Sequence, residues 1–170
     1  MSELRIIEVG PRDGLQNEPT PIPLEVKERF IANLITAGAK EIEVTSFVHP
    51  KWVPQLADAA ELLATIPRPG GVHFSALVPN RRGLDRALAS GVTRIALFTA
   101  ASEAFTTKNI NMTIAESLAE FRAVADAFRE AVPNAFIRGY VSTVVECPFA
   151  GPVAPSQVKE VVDQLIQIGV

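Results

Sequence analysis

The segment ITAGAKEIEV, residues 35–44, joins the end of an apolar helix pattern to a β-rich run through a single glycine. The same order of helix, glycine, small apolar residue and strand returns in LASGVTRIAL, residues 88–97. Its first half returns in IQIGV, residues 166–170. Such short junctions lead a helix directly into the next strand, so they predict βα units with parallel strands and right-handed crossovers.

Two hydrophobic periods alternate along the rest of the chain. The predicted strands cover residues 4–9, 41–45, 72–78, 94–99 and 135–144. The predicted helices cover residues 24–37, 55–66, 82–89, 113–131, and a last one from an N-cap at Ser156 to residue 168. Gly38 is expected to end the first helix as a C′ glycine. Residues 100–111 are predicted to form a loop.

Two α/β folds fit five βα units. A (β/α)₈ TIM barrel needs about 250 residues, so the 170 residues would be its first five units. Residues 1–170 would then be the N-terminal part of a single catalytic domain that continues into a sixth strand. The alternative is a doubly wound, five-stranded open sheet, which this length would complete. The unfinished junction at residues 166–170 favours the barrel, whereas the length favours the open sheet.

The composition excludes several classes of protein. Apolar residues make up 48% and charged residues 21%, as in ordinary globular domains. The net charge of −3, without a basic run, argues against a nucleic-acid partner. Apolar runs are too short for a membrane span, and no secretory signal begins the chain. The single cysteine, Cys147, permits no internal disulfide, so a cytoplasmic location is expected.

The segment GPRDGLQN, residues 10–17, places a cation, a carboxylate and amides where the first predicted strand ends. Both α/β folds carry their chemistry at the carboxyl ends of strands. Asp13-Gly14 is also an ordinary turn dipeptide, and Arg12 could serve only as an ion-pair partner. Glu43 lies inside a predicted strand, where a buried carboxylate needs a partner. Arg12, at the same level one strand away, is the predicted partner.

Common cofactor motifs are missing from the sequence. No G-x-G-x-x-G follows a strand, and there is no P-loop, H-E-x-x-H motif or cysteine cluster. The two histidines, His49 and His73, are each isolated and are interpreted as structural. Cys147 fits a small buried apolar residue, and a substrate-facing role is the alternative.

Several blocks of the sequence are recognisable together. They are VGPRDGLQNE, TSFVHPKWVPQ, AASEAFTTKNIN, RGYVS and ECPFAG. These blocks resemble the hydroxymethylglutaryl-CoA lyase family, which belongs to the metal-dependent TIM-barrel lyases and acyl-CoA synthases. The first block is shared with isopropylmalate and homocitrate synthases, whereas the second and third are more specific to the lyases. The resemblance covers nearly the whole chain.

The resemblance implies roles for individual residues. Asp13 would be a ligand of a divalent cation, Mg²⁺ or Mn²⁺. Arg12 would stabilise negative charge on the thioester oxygen, and Glu43 would hold Arg12 in place. Four further positions match residues expected to line the acyl pocket: Gln16, Ser46, Arg138 and Tyr140.

The resemblance also implies an activity, and it shows which functional motifs of the family have no counterpart in residues 1–170. The family cleaves 3-hydroxy-3-methylglutaryl-CoA, an acyl-CoA substrate, into acetoacetate and acetyl-CoA in leucine degradation and ketone-body formation. A homodimer is expected for the full-length protein. The family's His-x-His metal motif, its metal-binding asparagine and its catalytic lid-loop cysteine have no counterpart here, and Cys147 matches a different cysteine. Residues 1–170 alone are therefore expected to be inactive. The alternatives are a related acyl-CoA-condensing synthase and an inactive fragment that acts as a binding module.

Overall fold

The order of the strands decides between the two predicted folds. In the computed structural model, which describes residues 4–170, five strands are hydrogen-bonded in chain order in one sheet. These strands are β1 (Ile7–Glu8), β2 (Glu41–Ser46), β3 (His73–Leu77), β4 (Arg94–Ala100) and β5 (Phe136–Ser142). Two short strands, β6 (Glu146–Cys147) and β7 (Gly151–Pro152), form a separate antiparallel hairpin. A doubly wound sheet reverses its strand order at a switch point, so the sequential order contradicts the open-sheet alternative and agrees with a barrel.

Helices connect the successive strands of the sheet, with two of them between β4 and β5, and the last helix follows β7. They are α1 (Leu24–Thr36), α2 (Ala59–Thr65), α3 (Arg81–Ala89), α4 (Glu103–Ile110), α5 (Ile114–Ala131) and α6 (Pro155–Ile168). The chain forms two compact units. The first unit contains the described residues up to Val78 together with Arg82–Ile95, and the second contains Pro79–Arg81 with Ala96–Val170.

The first unit is built on parallel pairing of its strands. Ile7 lies opposite Glu41 in the β1–β2 pair, and Glu41 lies opposite His73 in the β2–β3 pair. The core of this unit includes Ile31, Ile42, Val44, Leu62, Ala76 and Leu84. The predicted C′ position at Gly38 is confirmed, because this glycine has a φ of +96° directly after the last turn of α1.

In the second unit, α5 is a capped amphipathic helix. Thr113 and Glu116 form a capping box, in which each side chain accepts a hydrogen bond from the other residue's backbone N–H. The Thr113 N–H and the Thr113 hydroxyl both donate to Glu116 Oε2, at 2.8 and 2.9 Å, and these two bonds lower the pKa of the Glu116 carboxyl. The buried apolar positions recur at helical spacing and are Leu118, Phe121, Val124, Ala125 and Phe128.

Predictions of local structure were wrong at several places. Residues 100–111 are not a loop, because Ser102 caps α4 by accepting a hydrogen bond from the Phe105 N–H. The last helix begins at Pro155 and not after an N-cap at Ser156, since proline is well suited to the first helical position. The predicted helix over residues 55–66 divides into a 3₁₀ turn, Pro54–Leu56, and α2. None of the helices within residues 4–170 combines the length and the apolar composition needed to cross a bilayer.

Candidate active site

The segment that follows β1 is a tight turn that presents charged side chains. Residues Gly10–Gly14 form one π-helical turn, and Leu15–Asn17 continue as a 3₁₀ turn. The Val9 carbonyl accepts hydrogen bonds from the N–H groups of Arg12, at 3.0 Å, and Asp13, at 2.7 Å. We call residues 10–17 the site turn. Single π-turns occur frequently at functional sites.

A buried ion pair connects the site turn to β2. Arg12 Nε donates a hydrogen bond to Glu43 Oε1 at 2.5 Å. The Glu43 residue is 0% exposed and Arg12 is 6% exposed. A carboxylate at this depth is very costly without a cation, so the two residues depend on each other. The pairing predicted from the sequence is therefore present in the structure.

The same guanidinium also contacts Asp13. Arg12 Nη1 donates to Asp13 Oδ1 at 2.6 Å, and Gln16 Nε2 donates to the same oxygen at 3.0 Å. The Asp13 side chain is 55% exposed. Its second oxygen, Oδ2, accepts none of the hydrogen bonds found among the described residues. Asp13 thus offers a solvent-accessible carboxylate oxygen beside a buried positive charge.

Small hydroxyl side chains end β2. The Ser46 Oγ accepts a hydrogen bond from the Val48 N–H at 3.2 Å, which fixes the first turn after the strand. The neighbouring Thr45 Oγ1 is buried and has no hydrogen-bond partner within the described part of the chain. Both residues are fully buried, and the Val48 N–H is bonded to the Ser46 hydroxyl oxygen.

An arginine that was not predicted from the sequence holds this loop by a hydrogen bond. Arg86 of α3 donates from Nη1 to the Val48 carbonyl at 3.2 Å. Its guanidinium carbon lies 5.4 Å from the centre of the Phe47 ring, within cation–π range. An arginine on a surface helix gives no indication in the sequence that it reaches a strand end.

A second missed group is a buried polar cluster formed by Lys27, Gln55 and Asp58. Lys27 Nζ contacts the Gln55 carbonyl and both oxygens of the Asp58 carboxylate. One signal was available in the sequence. Lys27 lies three and four residues before Phe30 and Ile31, which places it on the apolar face of α1.

In the second unit, Arg138 and Tyr140 lie together on β5. Arg138 Nη2 donates to the Tyr140 hydroxyl at 2.7 Å, and its guanidinium carbon is 4.9 Å from the centre of the tyrosine ring. Residues two apart on a strand share a face, which explains the contact. The structure thus brings Arg12, Asp13, Gln16 and Glu43 together in one unit, and Arg138 with Tyr140 in the other.

Cys147 is buried in the β6–β7 hairpin. Its sulfur accepts hydrogen bonds from the Ser102 hydroxyl at 3.0 Å and from the Phe149 N–H at 3.4 Å. Burial raises the pKa of the Cys147 thiol, but the combined effect of Ser102, the N–H groups of Phe149 and Ala150, and the Lys108 charge brings that pKa below its ordinary value. The burial agrees with the interpretation of Cys147 as a small packed residue.

Known proteins that are similar in sequence and known proteins that are similar in structure belong to the same family. The family model described as HMGL-like matches residues 3–170. A Pseudomonas aeruginosa protein named 3-hydroxy-3-isohexenylglutaryl-CoA/hydroxy-methylglutaryl-CoA lyase is 49% identical over 98% of this chain and 55% of its own length. The Rattus norvegicus 3-hydroxy-3-methylglutaryl-CoA lyase, cytoplasmic, is 48% identical over 98% of this chain and 48% of its own length.

A solved structure matches equally well. The crystal structure of hydroxymethylglutaryl-CoA lyase from Pseudomonas aeruginosa superimposes with a TM-score of 0.93 at 49% identity, over 98% of this chain and 55% of that chain. This chain therefore spans about half the length of the relatives that it matches. The α/β fold, predicted as the first five βα units of a TIM barrel, is confirmed. From residue 3 to residue 170, the chain belongs to the HMGL-like family.

Proposed function

We propose that the complete protein that carries these residues is a hydroxymethylglutaryl-CoA lyase, which cleaves 3-hydroxy-3-methylglutaryl-CoA into acetoacetate and acetyl-CoA. The observation that carries the proposal is the buried Arg12–Glu43 ion pair, whose guanidinium also contacts the exposed Asp13 carboxylate at the end of β1. The assignment of the substrate is supported by the names of the relatives, which are lyases of this acyl-CoA. This chain covers about half of the length of those relatives.

Arg12 has the environment that the charge development of this cleavage requires. Breaking the carbon–carbon bond leaves the acetyl-CoA part as an enolate, with negative charge on its thioester oxygen. A fixed cation in a site of low dielectric stabilises such charge far more than water does, because it needs no reorganisation. Arg12 is 6% exposed and is held before any substrate binds. We assign the thioester oxygen to its guanidinium.

Glu43 acts on the reaction through Arg12. Its carboxylate accepts the Nε–H of the guanidinium at 2.5 Å and so fixes the orientation of the planar group. It also compensates the arginine charge in a site that excludes water, since Glu43 is completely buried. We propose that Glu43 is required for catalysis in this positioning role.

The residues fit a divalent cation, Mg²⁺ or Mn²⁺, with Asp13 as one ligand. The Asp13 carboxylate is half exposed, and Arg12 and Gln16 both bond to Oδ1. This leaves Oδ2 as a hard oxygen donor of the type that these cations prefer. When bound, the cation would supply Lewis acidity and a template for the 3-hydroxyl and carbonyl or carboxylate oxygens of the substrate. From the family resemblance, we expect the other ligands to come from residues outside this segment.

The metal assignment predicts the effect of Asp13→Asn in the complete protein. The amide preserves the size of the side chain but removes the charge, so the affinity for Mn²⁺ is expected to fall at least tenfold. Titration of Mn²⁺ followed by electron paramagnetic resonance measures this affinity. Asp163→Asn, on the exposed side of α6, is the matched control and should bind Mn²⁺ like the parent. Equal affinity in the parent and in Asp13→Asn would remove Asp13 from the metal site.

Four residues are proposed to contact the acyl part of the substrate. Gln16 lies beside Asp13 in the site turn, and Ser46 ends β2. Arg138 and Tyr140 form a hydrogen-bonded pair on β5, which joins a positive charge to a phenol. These groups suit the carboxylate and hydroxyl of a hydroxyacyl substrate.

A direct assay tests the proposed function. The complete protein, supplied with a divalent cation and 3-hydroxy-3-methylglutaryl-CoA, should release acetoacetate. Release of free CoA from acetyl-CoA and a 2-oxo acid would instead identify a condensing synthase. Activity in neither assay would favour a binding module. We further propose a homodimer, from the family resemblance, and a cytoplasmic location, in line with the rat relative named cytoplasmic, although other relatives are named mitochondrial.

Residues 1–170 produced alone are expected to show no lyase activity. Asp13 is the one expected metal ligand in this segment, and no group of three or more His, Cys, Asp or Glu residues within residues 4–170 is placed to hold a metal. A single carboxylate holds Mg²⁺ or Mn²⁺ poorly, because these cations dehydrate reluctantly. A coupled acetoacetate assay on the purified segment, with the complete protein as the positive control, measures the difference. Cleavage by the segment would show that the ligand set proposed here is wrong.

A further inference from the structure

The connection between the site turn and α1 is a stiff, proline-rich segment. Residues 18–23, which we call the strap, read Glu-Pro-Thr-Pro-Ile-Pro. Every second residue therefore lacks a backbone N–H and has a fixed φ. Both ends of the strap are extended, with φ/ψ of −71°/127° at Glu18 and −59°/149° at Pro23. Such a segment can form neither a helix nor a regular strand, so its position depends on side chains that reach it.

One side chain, Gln55, bonds to all three non-proline residues of the strap. Gln55 Oε1 accepts from the Ile22 N–H at 2.8 Å, and Gln55 Nε2 donates to the carbonyls of Thr20 at 2.9 Å and Glu18 at 3.2 Å. The opposite orientation of the amide would place its oxygen against two carbonyl oxygens, so only one orientation satisfies these partners. Gln55 is 8% exposed, which shields the bonds from water.

Gln55 is itself held by a buried ion pair. Lys27 Nζ donates to the Gln55 carbonyl at 2.5 Å and to the Asp58 carboxylate oxygens at 2.8 and 2.9 Å. The three N–H donors of the ammonium group therefore meet three oxygens, although Lys27 is only 3% exposed. The cluster connects α1, the turn Pro54–Leu56 and the residue that precedes α2. It has no contact with the acidic or basic groups of the site turn among the hydrogen bonds described above.

We propose that Gln55 is a positioning residue: it fixes the strap, and through the strap it fixes the site turn with Arg12 and Asp13. This inference rests on the proposed function, which it extends to a residue outside the catalytic groups. The strap begins directly after Asn17, whose side-chain amide donates to the Asp13 carbonyl at 2.8 Å. A displacement of Glu18 would therefore also displace Asn17 and, through this hydrogen bond, the site turn. A misplacement of about 1 Å can reduce a reaction rate by about 10²-fold.

Gln55→Met in the complete protein tests the proposal, because methionine keeps the length of the side chain and removes its hydrogen bonds. We expect kcat to fall by about 10- to 100-fold, with a smaller change in KM. We also expect backbone hydrogen exchange over residues 10–22 to accelerate at least tenfold, while exchange in α5 stays unchanged. Gln167→Met, at an exposed position of α6, is the matched control and should behave like the parent.

A stability control separates positioning from general weakening. Ile31→Val shortens a fully buried side chain of α1 away from the strap, and should keep kcat even where its Tm falls as far as that of Gln55→Met. An equal loss of kcat in Ile31→Val, or unchanged exchange over residues 10–22 in Gln55→Met, would overturn the proposal. Should Gln55→Met not fold, Gln55→Asn retains the amide on a shorter side chain and is judged by the same two measurements. If the parent protein has no lyase activity, the proposed function fails, and hydrogen exchange alone decides the role of Gln55.

Discussion

Replacement of Arg12 by glutamine in the complete protein is expected to lower kcat by about 10²- to 10³-fold and to change KM far less. Negative charge on the thioester oxygen develops mainly in the transition state, so its loss of stabilisation falls on kcat. Glutamine can still donate one hydrogen bond but carries no charge. The Arg12 guanidinium is buried and already oriented by Glu43. Its contribution to stabilising the transition state is therefore larger than that of an exposed arginine.

Steady-state kinetics of acetoacetate release measure this effect. Arg122→Gln, at an exposed position of α5, is the matched control and should have the kinetics of the parent. Arg12→Lys is expected to recover little activity, because a lysine ammonium cannot reproduce the planar fork that meets Glu43 and Asp13 together. A kcat for Arg12→Gln within a few-fold of the parent would show that Arg12 does not stabilise the enolate charge.

The part of the site that the sequence predicted is the part where burial constrains the residue type. Glu43 stands between Ile42 and Val44 in a β-rich run, and a carboxylate in that setting requires a cation nearby. Arg12, after the adjacent strand, was the natural candidate. The hydrogen bond of 2.5 Å between them shows that pattern and physical chemistry together were sufficient here.

The support around the site could not be predicted in the same way. Gln55 bonds to backbone groups of the strap, and a backbone carbonyl has no residue type that the sequence could reveal. Arg86 likewise reaches the Val48 carbonyl from a helix whose pattern is that of an ordinary surface helix. Residues that act through the backbone of their partners leave no pairwise signature in a single sequence.

Local boundaries failed where long-range pairing or capping decided them. The β1 strand was predicted over residues 4–9 but covers only Ile7–Glu8, because pairing starts where Ile7 meets Glu41, the first residue of β2. Leu4 and Ile6 are accordingly exposed. The α4 helix lacks a strong apolar face and depends on its Ser102 cap, so the hydrophobic period gave no indication of it.

The second large effect concerns the ion pair itself. Glu43→Leu is expected to lower the free energy of unfolding of the complete protein by about 3 kcal/mol, because it removes the buried carboxylate that compensates the Arg12 charge and leaves the half-exposed Asp13 carboxylate in contact with it. The double variant Arg12→Met/Glu43→Leu removes both charges and places apolar side chains of similar volume in the same space. It should therefore recover most of the lost stability. Urea unfolding of the parent, both single variants and the double variant gives the coupling energy between the two sites.

In these variants kcat and the free energy of unfolding should change independently of each other. This difference tests whether the reaction, and not the fold, requires the Arg12–Glu43 pair. The double variant is expected to be nearly as stable as the parent and yet to lose kcat by at least the 10²-fold predicted for Arg12→Gln. Such a result would mean that the fold does not need the two charges, whereas the reaction does. A double variant no more stable than Glu43→Leu would show that Arg12 and Glu43 do not act as a pair. A double variant with the kcat of the parent would show that the reaction does not use the charges of Arg12 and Glu43, and would remove both residues from the catalytic site.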